Sequence, residues 1–182
     1  MAELATAPAW LEERRRQGAS LAQSLPLPDH KSKGWEFTDL SGLEIDSYEA
    51  VAADATISGA DGATVLSLTD ALASHSQLLE ERLGSLVPAE DPFVARNEAS
   101  WSDGVLVHVP RGVKLTEPIR IEVPVDRDGA AIGWRTLVVL EEGAEAEVWE
   151  HWSSPDDEVD AILNSVVELN RLIELQMEGS IG

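Results

Sequence analysis

The chain has 182 residues, with 34 acidic side chains against 13 Lys plus Arg, for a formal net charge of −21. That length fits one domain with an appendage, and 43% hydrophobic residues suffice for a packed core. The absence of cysteine excludes disulfides, a thiolate nucleophile and any cysteine-ligated metal or iron–sulfur cluster held by this chain alone. Strong negative charge opposes nucleic-acid backbones and anionic membranes, because no counterions are released when like charges meet. No apolar run is long enough to cross a bilayer, and residues 1–20 lack the apolar stretch of a signal peptide. The expectation is a cytoplasmic protein.

In chain order, Thr6 and Pro8 mark a helix start, and Trp10, Leu11, Leu21 and Leu25 supply a patchy apolar face around Arg14, Arg15 and Arg16. Pro26 and Pro28 end that helix and stiffen the connector that follows. In Gly34-Trp35-Glu36-Phe37, the two aromatics read as a local anchor pinning the connector to a core. Burial of Trp35 would make its replacement by alanine cost about 3–5 kcal/mol. Val65–Leu68 reads as a short strand. Thr69 or Asp70 then caps an amphipathic helix carrying Leu72, Leu79, Leu83 and Leu86. Asp91-Pro92 opens a short helix through Phe93 and Asn97.

After Trp101 the texture becomes β-like. The runs 104–110, 118–124, 134–140 and 144–149 are separated by Arg111-Gly112, Asp126–Gly129 and Glu141–Gly143. Ile119, Ile121 and Val123 alternate with Arg120 and Glu122, which gives one buried face and one wet face. The spacing leaves no room for crossover helices, so a sandwich, a barrel and a β-solenoid all remain open.

Local chemistry is sparse. His30, His75, His108 and His151 are scattered, without metal-ligand spacing. His108, among valines, reads as an outward or satisfied side chain. His151 lies between Trp149 and Trp152 beside Glu150, which reads as the amphipathic end of a strand. Glu145 and Glu147 fall on one strand face about 7 Å apart, a separation that would suit glycosidase carboxylates. Solvated surface acids are the simpler reading. No phosphate-binding glycine loop and no nucleophile elbow is present.

The order of motifs resembles the SufB/SufD family of iron–sulfur cluster assembly proteins, most closely its SufD branch. The likeness runs through Trp10-Leu11, Leu25-Pro26-Leu27-Pro28, residues 33–40, 78–84, 91–99, 103–113, 117–119 and 135–144. Arg96 stands where the family usually carries an apolar residue. The resemblance implies an α+β protein: an N-terminal helical region, followed by the first coils of a right-handed parallel β-helix. Residues 1–100 would form a helical and mixed cap over the open end of the stack, and 101–169 the start of the β-helix. Residues 170–182 form a tail that matches nothing in the family. Because later coils and the SufC-docking segment would be absent, Val166, Val167, Leu169, Leu172, Ile173 and Leu175 are expected to be exposed, with marginal stability or self-association.

The implied role is a non-catalytic scaffold, working with a SufB-like subunit and a SufC-like ABC ATPase. Neither nucleic acid nor membrane is expected as a partner. The cluster is handled by the whole complex, so no cofactor is expected on this chain and no catalytic, cofactor-binding or metal-binding residues are assigned. The alternatives are a β-solenoid carbohydrate-active enzyme using paired carboxylates, or a fragment without independent function.

Overall fold

In the computed structural model of the chain, residues 7–155 and 157–172 are described. Thr6, Ile173 and Leu175 fall outside them, as does most of the 170–182 tail. Helix α1 (Ala9–Ser24) starts after Pro8, whose carbonyl accepts from Leu11 N and Glu12 N, and ends just before Pro26. It lies directly against α4 (Pro92–Ser100). A β-carbon at Gly18 would fall 2.8 Å from the Ala99 nitrogen, so the close crossing depends on the missing side chain.

Three short strands follow α1: β1 (Glu49–Ala50), β2 (Thr56–Ser58) and β3 (Thr64–Ser67). The expected single helix after β3 is two, α2 (Leu68–Ser74) and α3 (Ser76–Arg82), broken at His75. The cap is Ser67 rather than Thr69 or Asp70. Its hydroxyl oxygen accepts from Asp70 N at 3.0 Å, so the last strand residue also opens the helix. Leu86 lies beyond both helices and is exposed. The start of α4 is as expected, with Asp91 Oδ1 accepting from Phe93 N and Val94 N.

The β region comprises β4 (Asp103–Val109), β5 (Ile119–Pro124), β6 (Ala130–Leu140), β7 (Val148–Ser153) and β8 (Ala161–Arg171). The fourth run expected from sequence shifts from 144–149 to 148–153. Gly143 takes a positive φ, and Glu145 only bridges Lys114, so 144–147 form a corner. Strands β4, β6 and β8 are parallel neighbours: Val105 sits beside Thr136, and Thr136 beside Val167, a constant step of 31 residues. In the second sheet β5 and β7 are parallel, with Ile119 beside Val148.

Between the sheets lie Val105, Val107, Ile119, Ile121, Val123, Trp134 and Val138. On the other face of the first sheet, Leu106, Leu137 and Val139 pack beneath Leu11, Leu68, Leu79 and Trp101. The helices therefore cover one face of the first sheet. The first edge is closed by strands, with β3 antiparallel to β4 and β2 antiparallel to β5. Antiparallel pairing satisfies backbone groups that a helix could not reach.

On β8, Leu163, Val167 and Leu169 are exposed, continuing the column between the sheets, and Leu172 is half-buried. Val166 is buried, against expectation, because strand alternation turns it toward the helical side. No helix among the described residues is long and apolar enough to cross a membrane.

The aromatic knot divides. Trp35 is half-buried and stacks on Phe93 at 5.4 Å, whereas Phe37 is 101% exposed and anchors nothing. The turn closed by Thr38 N and Trp35 O places Glu36 and Phe37 at its outer corner. Trp35→Ala should accordingly cost only about 1–2 kcal/mol in chemical denaturation, the scale of one aromatic contact with partial burial.

Candidate functional site

None of the sequence candidates converge. Glu145 is exposed and pairs with Lys114 at 2.5 Å, while Glu147 accepts from the Trp149 indole. The Lys114 ammonium holds the Glu145 carboxyl below its ordinary range, the reverse of what a general acid requires. His108 Nε2 contacts Glu141 Oε1 at 2.9 Å, and Glu141 Oε2 accepts from Arg111 N, so this histidine is satisfied. Alternation along β7 splits the Trp149–Trp152 cluster: Trp149 and His151 face outward, while Glu150 and Trp152 turn toward the space between the sheets. Arg120 lies over the exposed Trp149 ring.

Two polar assemblies that local pattern did not disclose are built instead. The first centres on Arg135, fully buried on β6. Its Nη2 lies 2.5 Å from Glu98 Oε2, its Nε donates to Asn97 Oδ1 at 2.7 Å, and its Nη1 stands 3.5 Å from Glu168 Oε2. Glu98 also pairs with Arg14 Nε at 2.7 Å. Glu168, on β8, accepts from Gly84 N, Leu86 N and Val87 N. Asn97 Nδ2 donates to the Trp134 and Asn164 carbonyls, and Asn164 Nδ2 to the Phe93 carbonyl. Burial depresses the Arg135 pKa, with the two carboxylates opposing that shift. Two guanidinium groups face two carboxylates, so the network is balanced in charge. It ties α1, α4, β6, β8 and the 84–87 turn together. The sequence signal was an arginine inside an otherwise apolar strand run.

The second assembly surrounds Glu150. Its Oε2 accepts from Thr136 Oγ1 at 2.5 Å and Trp134 Nε1 at 3.3 Å, and its Oε1 from Trp152 Nε1 at 3.0 Å and Ser165 Oγ at 3.3 Å. Four donors thus occupy the carboxylate, leaving it no lone pair aimed at a metal or substrate. Among the described residues no cluster of three or more His, Asp or Glu side chains could hold a metal ion.

Two further features bear on the chemistry. Asp103, where β4 begins, accepts from Gly104 N, and burial raises its pKa. An acid whose folded-state pKa is raised contributes stability at low pH that is lost as pH rises through that pKa. Asp103→Asn keeps the acceptor and removes the buried charge. Its melting temperature should exceed that of the parent at pH 7, with the difference closing below about pH 4.

An open groove of about 810 Å³ lies between the second half of α1, α4, residues 45–48 and the start of β6. Ala22, Ala99, Ala131 and Ile162 contribute apolar lining, and Arg96 and Asp46, paired at 2.9 Å, stand on its wall.

The model of the SufBD protein N-terminal region matches residues 46–121. An iron–sulfur cluster assembly SufBD family protein of Synechocystis sp. is 30% identical over 167 residues, covering 89% of this chain and 32% of that protein. A protein of the same description from Staphylococcus haemolyticus is 33% identical over 100 residues, covering 54% of this chain and 22% of its own length. A Staphylococcus aureus counterpart is 31% identical over the same length and coverage. The chain spans about a third or less of these curated relatives.

Proposed function

This chain belongs to the SufB/SufD family, and we propose that it serves iron–sulfur cluster assembly as a non-catalytic, SufD-like scaffold. In this reading the parallel strands are the first coils of a right-handed β-helix, and the chain works in the cytoplasm through protein contacts. Its partners are a SufB-like subunit and a SufC-like ATPase, and the cluster is cargo of the complex.

The observation that carries the proposal is the 31-residue step along β4, β6 and β8 in a chain whose relatives are named for cluster assembly. Stacked rungs offer long side faces for neighbours without requiring a catalytic pocket. The two polar assemblies support a scaffold, since the charges of the first are paired within the fold and the second holds Glu150 with four donors. The experiment is co-expression with SufB-like and SufC-like subunits from the same genome, followed by affinity isolation and mass measurement of the complex. Stoichiometric recovery of either partner is expected. Absence of both, with this chain folded by circular dichroism, would overturn the assignment.

A further inference from the structure

The charged network around Arg135 takes Arg14 from α1, Glu98 from α4 and Arg135 from β6, while β8 supplies Glu168. The receiving side is built without Glu168. Arg135 is fixed through Nε by Asn97 Oδ1 and through Nη2 by Glu98, which leaves Nη1 turned toward Glu168. Residues 84–87 are braced by other groups. Ser85 N donates to the Arg82 carbonyl and Arg14 Nη1 to the Leu83 carbonyl, and the buried Leu79 and Leu83 side chains pack the turn against the first sheet. The N–H groups of Gly84, Leu86 and Val87 then converge on one carboxylate, at 2.5, 2.9 and 3.3 Å.

The local charge also asks for an anion. Without Glu168, two guanidinium groups would face the single Glu98 carboxylate, which makes this point cationic inside a chain of net charge −21. Convergent backbone N–H groups beside a buried guanidinium are a donor set that recognises a carboxylate. Glu168 itself is 2% exposed, so water does not compete for the donors. Strand β8 has few other holds. Among the described residues β6 is the only strand beside it, and Leu163, Val167 and Leu169 are exposed. Asn164 ties the first half of β8 to α4, through the Phe93 carbonyl and Asn97 Nδ2, and Glu168 ties the second half.

We propose that the 84–87 turn and Arg135 form a carboxylate receptor, and that Glu168 is its tethered ligand, latching the second half of β8 onto the helical layer. With the tether cut, the receptor takes a free carboxylate. The latch is independent of the assembly role.

Hydrogen exchange of the full chain, read by mass spectrometry with formate as the probe, tests it. Glu168→Ala should speed exchange over residues 166–171 at least about tenfold while residues 103–109 keep their protection. Sodium formate should restore protection in this variant, and sodium chloride at equal ionic strength should not, because screening alone fills no site. The parent should ignore formate, since Glu168 already holds the receptor. Where Glu168→Ala does not fold, refolding that depends on formate, followed by circular dichroism, is the expected result. Glu168→Gln should gain nothing from formate, because its amide blocks the site. Unchanged exchange in Glu168→Ala would overturn the latch. A loosened or unfolded variant that formate leaves unrescued would overturn the receptor.

Discussion

Replacing Arg135 with methionine is expected to destabilise the fold by about 3–5 kcal/mol, the usual cost of removing one partner from a buried ionic network. The methionine would fit the volume but would leave Glu98 and Glu168 facing each other without their shared cation, and Asn97 Oδ1 without its donor. Arg14 would still neutralise Glu98. Glu168 would keep its three backbone donors but no opposing charge. Urea denaturation followed by circular dichroism measures the effect. The double variant Arg135→Met with Glu168→Gln should recover part of the loss, because the uncompensated charge is then gone. A single variant within about 1 kcal/mol of the parent would mean that water reaches the site.

Glu150→Gln is expected to cost about 1 kcal/mol, although it conserves shape and removes a charge. The two indole N–H groups address different oxygens, Trp134 on Oε2 and Trp152 on Oε1, and Trp134 Nε1 also donates to Thr136 Oγ1 at the shorter distance of 2.9 Å. An amide can keep Trp152 satisfied by turning its oxygen to the Oε1 side. Its NH2 then stands at the Oε2 side, where Thr136 Oγ1 accepts from it and from Trp134, and what is lost is the acceptor of the Thr136 hydroxyl and the longer Trp134 bond. Neither indole can become an acceptor. Thermal unfolding and the near-ultraviolet signal of Trp134 and Trp152 report this directly, since the two rings meet edge to face at 5.9 Å between the sheets. An unchanged melting temperature with an unchanged tryptophan signal would show that Thr136 and Trp134 do not depend on the second carboxylate oxygen.

These two carboxylate sites explain why the interior was harder to read than the elements. Asp91-Pro92 encodes its own helix start, because the carboxylate cap and the proline act within three residues. Ile119, Ile121 and Val123 encode a strand with one apolar face, and all three are buried. The break at His75 was hidden, since the leucine spacing runs through both halves and only packing bends the chain there. Phe37 was misread because composition marks an aromatic as apolar without stating which side of a turn it occupies. Among the catalytic possibilities, Glu145 and Glu147 were legible as neighbours, but their pairing with Lys114 and Trp149 was not.

Local sequence, then, determined the elements whose signals act within one turn or one pleat: α1 and its proline stop, the cap of α4, and the alternation of β5. It also determined, through the order of its motifs, the family to which the chain belongs. Tertiary structure alone decided which neighbours those elements meet. The 31-residue step, the strands that close the first edge, the helices laid on a sheet face, and the meeting of Arg135 with Glu98 and Glu168 all join residues distant in the chain. Such contacts arise from burial shared across both sheets and the helices, and no short window of residues encodes them.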